Sequence, residues 1–110
     1  DSRKNILLCL KRGNSMQCFF SPLAEIDLEE IGDFIARDNP ARAVSFIQEI
    51  KEKCQKITEA PEAFPLRLDI MNGLRMVSFR SYLIFYTIGE SIRVERILHG
   101  ARDYPTLFDA

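Results

Sequence analysis

Four side chains in the last third of the sequence are of the types that act on phosphates. Imidazole changes charge near neutral pH, so His99 could act as a general acid or base. Arg75, Arg96 and Arg102 carry guanidinium groups, which hold phosphate oxygens through paired hydrogen bonds. A metal-independent ribonuclease needs an acid, a base and a firmly placed cation at the scissile phosphate. If the chain is a nuclease, these four residues are its catalytic candidates.

Each candidate also has a structural interpretation. His99 would cap the last strand and Arg102 would pair with an acidic residue, because clustered ionisable groups are only probabilistic markers of function. Arg75 and Arg96 fall in apolar strand-like runs, where an arginine commonly lies along apolar surface or joins an ion pair. The residue types alone leave both interpretations open.

The sequence lacks the motifs of other familiar kinds of functional site. The cysteines Cys9, Cys18 and Cys54 have neither C-x-x-C nor zinc spacing, so reduced thiols are expected rather than a disulfide framework or a metal site. The sequence contains no P-loop and no dinucleotide-binding glycine fingerprint. We therefore predict no metal and no cofactor.

Charge is unevenly divided along the chain, although the net charge is only -1. Acidic side chains crowd the first predicted helix: Glu25, Asp27, Glu29, Glu30, Asp33 and Asp38. Arginines gather in the last third: Arg75, Arg80, Arg93, Arg96 and Arg102. A general nucleic-acid binder would show a wider basic surface, so at most a local arginine-lined patch is expected.

Length and composition are typical of one compact domain, with 110 residues, 46% hydrophobic and 28% charged. The longest apolar run near the start is Ile6 to Leu10, far shorter than the roughly 20 residues that a membrane span needs. The run is also short for a secretory signal, and no small-residue cleavage site follows it. The sequence therefore predicts a cytoplasmic protein.

Residues 1–15 are expected to form a leader or N-terminal extension outside the domain. They have no clear hydrophobic period, and the polar stretch Gly13-Asn14-Ser15 separates them from Met16, a candidate initiator. The domain would then span residues 16–110. The alternative is that Ile6 to Leu10 form an additional strand.

Two amphipathic helices follow a short first strand, which is predicted at Met16 to Phe20. Ser21-Pro22 and Asn39-Pro40 each mark a helix start, because the first residue caps the helix and proline fits its first turn. The second helix should end near Ala60, before Pro61. The apolar stripes are Ala24, Leu28, Ile31 and Ile35 on the first helix, and Ala43, Phe46, Ile50, Cys54 and Ile57 on the second. Surface ion pairs are predicted for Glu49–Lys53 and Glu52–Lys56.

Three strand-like runs follow the turn dipeptide Asn72-Gly73, namely Leu74 to Phe79, Tyr82 to Ile88 and Ile92 to Leu98. Their short connections predict an antiparallel meander. The middle run is almost continuously apolar, which places it centrally in the sheet. The predicted fold is α+β, with an antiparallel two-helix hairpin packed on one face of a small, mostly antiparallel sheet.

Residues at the starts, turns and ends of these predicted elements resemble those of ParE toxins, members of the RelE/ParE superfamily of type II toxin–antitoxin systems. The matching segments are Phe20-Ser21-Pro22-Leu23-Ala24-Glu25, Asp27-Leu28-Glu29-Glu30-Ile31, Asp38-Asn39-Pro40-Ala41-Arg42-Ala43, Gly73-Leu74-Arg75, Tyr82-Leu83-Ile84, and Glu95-Arg96-Ile97-Leu98-His99-Gly100-Ala101-Arg102-Asp103. Ser-Pro-x-Ala before a helix is weak by itself, but the ordered combination is specific. The resemblance covers about Met16 to Phe108.

The resemblance implies a RelE-like fold, a cognate ParD-like antitoxin in a hetero-oligomer, and growth inhibition when that antitoxin is lost. Some ParE toxins poison DNA gyrase, whereas RelE relatives cut messenger RNA on the ribosome with several lysines and arginines. Beyond the leader, this chain has only Lys51, Lys53 and Lys56, all on the second helix. We therefore favour a non-catalytic inhibitor. The alternatives are a RelE-type, ribosome-dependent mRNA endonuclease and a binding module that has lost toxicity.

Two sets of apolar residues are candidates for partner contacts. Leu23, Phe34 and Ile47 lie outside the main stripes and would form a groove on the helix hairpin for an antitoxin helix, with a second patch at the sheet edge. The resemblance also implies that the tail contacts the target, and the candidates there are Tyr104, Leu107 and Phe108. For both sets the alternative is an ordinary core position.

Overall fold

The computed structural model describes residues 16–100 and has the predicted order of strand, helix, helix and three strands. The elements are β1 (Cys18–Phe20), α1 (Pro22–Ala36), α2 (Pro40–Ile57), β2 (Arg75–Phe79), β3 (Tyr82–Ile88) and β4 (Ile92–His99). The predicted α+β class is confirmed. The predictions for Ile6 to Leu10, Cys9, Arg102, Tyr104, Leu107 and Phe108 fall outside the described residues.

Both helices begin at the caps that the sequence predicted. The Ser21 side-chain oxygen accepts a hydrogen bond from the Ala24 backbone N–H, and the Asn39 side chain accepts one from Arg42, each at 3.0 Å. A proline follows each cap. Helix α2 ends at Ile57 rather than near Ala60. There the Thr58 hydroxyl donates to the Gln55 carbonyl at 2.6 Å, which competes with continued helical bonding.

The four strands form one sheet in the order β1-β4-β3-β2. β2, β3 and β4 are antiparallel neighbours, which confirms the meander, and β1 joins β4 in parallel. β3 therefore lies inside the sheet, as predicted. Gly73 has a φ of +81° in the turn before β2, a left-handed conformation that glycine adopts without strain.

Apolar side chains are buried on both faces of the sheet. Ile84 and Tyr86 of β3 belong to the large core under the helix pair. Phe85, between them, packs with Leu74 and Leu98 in a second cluster that Ile70 of the long connection helps to cover. Successive strand side chains point to opposite faces, so burial on both sides explains the continuous apolar run of β3.

The predicted ion pairs on α2 are wrong. The Glu49 carboxylate contacts Arg42 at 2.6 Å and Arg80 at 3.4 Å, while the Lys53 ammonium lies 5.6 Å from the centre of the Phe64 ring. Within residues 16–100, no ion pair joins Glu52 and Lys56. Glu49 therefore pairs with Arg42, two turns earlier on α2, and with Arg80 of the β2–β3 turn. It does not pair with Lys53, which helical spacing alone favoured.

Candidate partner-binding surface

An ion pair between Asp27 and Arg96 fastens α1 to β4. The carboxylate accepts from Arg96 Nε at 2.8 Å and from Nη2 at 2.9 Å, and it also accepts the backbone N–H of Ile97 at 2.9 Å. The side chain of Asp27 is 3% exposed and that of Arg96 14%. The hydrogen bond to Asp27 raises the pKa of Arg96, so the guanidinium stays charged. The sequence analysis counted Asp27 only among the acids that crowd the first helix, yet its position three residues after Ala24 falls in the buried stripe.

Arg75 also holds the fold together. Its Nη1 donates to the backbone carbonyls of Phe64 at 2.7 Å and of Glu62 at 3.2 Å, which ties the long connection to β2. Arg75 and Arg96 therefore have the structural contacts that the sequence offered as one of two interpretations. Arg102, the third candidate cation, lies outside the described residues.

His99 is exposed at the end of β4 and packs edge-on against Tyr82, with ring centres 5.4 Å apart. The two rings line a cleft of about 300 Å³ beside α1, together with Glu30, Phe34 and other residues of α1 and β4. Neither Arg75 nor Arg96 lines this cleft. Of the candidate catalytic groups that are described, His99 alone lines this cleft.

Three large apolar side chains of α1 are exposed to solvent. Leu23 is 54%, Ile26 49% and Phe34 63% exposed. Together with Glu30 they follow the spacing i, i+3, i+7, i+11, so they lie along one side of the helix. We call these four residues the α1 stripe. The sequence identified Leu23 and Phe34 but missed Ile26, although the same helical spacing would have included it.

Ile47, the third predicted antitoxin contact, belongs to α2 and lies beside α1 on the side away from the α1 stripe. It is half-buried and packs against the main core. A Cβ added at Gly32 would lie 3.6 Å from Ile47 Cγ1, so α1 and α2 approach closely at this point. Ile47 lines a different cleft, of about 800 Å³, with residues that include Phe20 and Lys51. The structure therefore divides the predicted groove into two surfaces.

The exposed side of α1 is strongly acidic. The helix carries no lysine or arginine, and its exposed acids are Glu25, Glu29, Glu30 and Asp33. Arg37 caps the helix and lies 6.0 Å from the centre of the Phe34 ring, beyond the last turn. The α1 stripe is thus apolar with a carboxylate at its middle and further carboxylates beside it.

The two cysteines within residues 16–100 are poor nucleophiles. Burial raises the pKa of the Cys18 thiol to about 11 and that of Cys54 to about 12, so both thiols are protonated and weakly nucleophilic at neutral pH. Between residues 16 and 100, no His, Cys, Asp and Glu cluster could hold a metal ion. None of the helices there is both long and apolar enough to cross a membrane.

Comparison with known proteins gives a family match and structural matches. A family model described as "ParE toxin of type II toxin-antitoxin system, parDE" matches residues 18–104, well over half of the chain. A solved structure titled "Chromosomal ParDE TA system from P. aeruginosa" matches with a TM-score of 0.67 and 20% sequence identity, over 77% of this chain and 96% of that chain. At this identity the second match shows a shared fold. No curated protein matches the chain significantly.

Proposed function

The chain belongs to the ParE toxin family of type II toxin–antitoxin systems, and we propose that it inhibits growth by binding an essential macromolecular target and is neutralised by a ParD-like antitoxin. DNA gyrase is the first candidate target. The similar P. aeruginosa structure is titled a ParDE system, which supports an antitoxin of the ParD kind. The main support for a non-catalytic mechanism is that Arg75 and Arg96 are already bound within the chain. Arg75 donates to the Phe64 carbonyl, and Arg96 donates to the Asp27 carboxylate.

A nuclease of this family would need cations aimed at a phosphate before the substrate arrives. Arg96 could turn toward a phosphate only by leaving Asp27, and an uncompensated buried charge costs about 3–5 kcal/mol. Arg75 would have to release two carbonyls of the long connection. Both arginines therefore act as structural residues, and the geometry favours an inhibitor that binds its target over one that cuts RNA.

The α1 stripe is the surface that we assign to the antitoxin. Its exposed apolar residues have the spacing by which one helix contacts another in a groove. Leu23 and Phe34 form the two ends of this contact. Ile47, on the opposite flank of α1, would belong to a second contact rather than to the same groove. Such a complex would be a toxin–antitoxin hetero-oligomer.

The tail is the segment that we assign to the target, through Tyr104, Leu107 and Phe108. The support is the family resemblance together with the aromatic and apolar side chains of this segment. If the assignment is correct, a chain that ends after Asp103 loses toxicity and still binds the antitoxin. A truncated chain that remains toxic would contradict it.

The endonuclease alternative has one observation in its favour, because His99 is exposed and lines the cleft beside Tyr82. If the chain cuts RNA, His99→Ala or Arg102→Ala abolishes cutting without unfolding the protein. If the chain is a binding inhibitor, His99→Ala retains toxicity. The same variant therefore separates the two mechanisms.

Purified proteins test the proposed function directly. The resemblance implies that the antitoxin is encoded by a neighbouring gene. The full chain, with and without the product of that gene, is added to DNA gyrase in a supercoiling assay and to a translating extract. We expect loss of supercoiling, relief by the neighbouring gene product, and intact messages in the extract. Cleaved messages with normal supercoiling would instead identify the nuclease. No effect in either assay would point to a module that has lost toxicity.

A further inference from the structure

We infer that the α1 stripe is built for a cationic amphipathic helix, whose apolar residues cover Leu23, Ile26 and Phe34 and whose arginine or lysine pairs with Glu30. The inference rests on the proposed function only in taking the antitoxin as the protein that supplies this helix. The charge requirement follows from the exposed residues of α1 and the cleft beside it.

The apolar residues set the shape of the partner. Leu23 and Phe34 are eleven positions apart, about three helical turns, and Ile26 lies between them on the same side. Each is at least 49% exposed. Phe34 also borders the 300 Å³ cleft, whose walls include Tyr82 and Ile97, so one large apolar side chain of the partner has a pocket to enter. A helix with apolar residues along one side fits this arrangement.

Glu30 sets the charge of the partner. It is exposed within the stripe and also lines the cleft. No salt bridge between described residues involves Glu30, whereas Asp27, one turn earlier, binds Arg96 directly. Arg96 attracts the Glu30 carboxylate only from beyond salt-bridge distance. A purely apolar helix would therefore cover the Glu30 carboxylate with no salt-bridge partner, and removing such a charge from water is costly. A basic side chain opposite Glu30 removes that cost.

Charge also excludes the other occupants of this surface. A second copy of the chain would place the acids of one α1 against the identical acids of another, because α1 carries no basic residue. Nucleic acid and anionic lipid headgroups would be repelled for the same reason. Among the classes of partner that cover exposed apolar surface, a cationic protein helix is therefore the one that matches.

The probe is a pair of synthetic helical peptides with the same leucine stripe, one with arginines and the other with glutamates beside it. Fluorescence anisotropy measures the Kd of each for the full-length chain. We expect the arginine peptide to bind at least about tenfold more tightly. Glu30→Lys should remove most of this preference, and Phe34→Asp should weaken binding of the arginine peptide by about tenfold or more.

Glu52→Lys is the matched control, since Glu52 is exposed on α2 and lies outside the stripe. It reverses the same charge on the same protein and should change the Kd of the arginine peptide less than about twofold. Equal binding of the two peptides, or equal losses for Glu30→Lys and Glu52→Lys, would overturn the inference. Self-association of the chain that Phe34→Asp abolishes would also overturn it, because a second copy would then occupy the stripe.

Failure of this inference and failure of the proposed function give different results. A Glu30-dependent preference in a chain that affects neither growth nor gyrase would support the inference and contradict the function. An active toxin whose affinity for the neighbouring gene product is unchanged by Glu30→Lys would support the function and overturn the inference.

Discussion

Asp27 on α1 and Arg96 on β4 lie 69 positions apart in the sequence and form a two-pronged ion pair with oxygen–nitrogen distances of 2.8 and 2.9 Å. The same carboxylate accepts the backbone N–H of Ile97. One buried side chain thus satisfies both a guanidinium and a main-chain donor at the junction of the helix with the sheet. This contact holds in place the helix that carries the α1 stripe.

Removing the carboxylate should destabilise the fold strongly. Asp27→Ala leaves the Arg96 guanidinium and the Ile97 N–H without their acceptor, and we expect the free energy of unfolding to fall by about 3–5 kcal/mol. Urea denaturation measures the change. Glu25→Ala, at an exposed acid of the same helix, should change the free energy by no more than about 0.5 kcal/mol. Similar losses in both variants would show that the ion pair has no special role.

The Tyr86 hydroxyl provides a second tie between the sheet and the long connection. Tyr86 is fully buried, and its hydroxyl donates to the Pro61 carbonyl at 2.6 Å. Tyr86→Phe leaves that carbonyl without this donor, so we expect a loss of about 1–2 kcal/mol in the free energy of unfolding. Tyr82→Phe is the control, because the contacts of Tyr82 are with the rings of Phe46 and His99. Thermal unfolding that shifts equally for both variants would contradict the prediction.

Stability should fall at alkaline pH because of Cys54. Burial raises the pKa of its thiol to about 12 in the folded chain, whereas an unfolded cysteine titrates near about 8.5. Above that lower pH the unfolded chain binds fewer protons than the folded chain. The stabilisation is therefore complete below about pH 8.5 and is lost as the pH rises toward about 12, by about 1.4 kcal/mol per pH unit.

The slope of unfolding free energy against pH isolates this effect from packing changes. Between about pH 9 and pH 10, the slope for Cys54→Ala should be shallower than that of the parent chain by about 1.4 kcal/mol per pH unit. Cys18, whose pKa burial raises to about 11, is present in both proteins. Parallel slopes would mean that the Cys54 thiol ionises as readily in the folded chain as in the unfolded one.

Local patterns in the sequence predicted most of the fold. Ser21 and Asn39, each before a proline, fixed both helix starts, and turn dipeptides with apolar runs fixed the three-stranded meander. These signals depend on residues within one or two turns of each other, which is why they are readable without knowledge of tertiary contacts. These local signals could not predict the parallel pairing of β1 with β4, because that pairing joins the two ends of the described chain.

The candidate site was less predictable because its contacts are distant in sequence. The role of Asp27 depends on Arg96, and no local sequence pattern around either residue indicates that the two will pair. The position of Ile47 depends on the close approach of α2 to Gly32, which separates it from Phe34. Leu23 was identified because an apolar residue outside the buried stripe of a helix is visible from periodicity alone.

Antitoxin binding should depend on the two ends of the α1 stripe. Leu23→Asp and Phe34→Asp place a carboxylate in an apolar contact, and each should raise the Kd for the neighbouring gene product by about tenfold or more. Val44→Asp is the control, because Val44 is 73% exposed but lies on α2, outside the stripe. Calorimetric titration measures the three affinities. A loss in Val44→Asp that equals the other two would place the antitoxin elsewhere.

Inhibition of gyrase without RNA cleavage is tested most directly by following DNA synthesis and translation separately after induction of the chain in cells. Labelled thymidine and labelled methionine report the two rates, and sequencing of message ends reports cleavage. We expect DNA synthesis to fall first, messages to stay intact, and co-expression of the neighbouring gene to restore growth. An early fall in translation with cleaved messages, or no arrest at all, would contradict the proposed inhibition of gyrase.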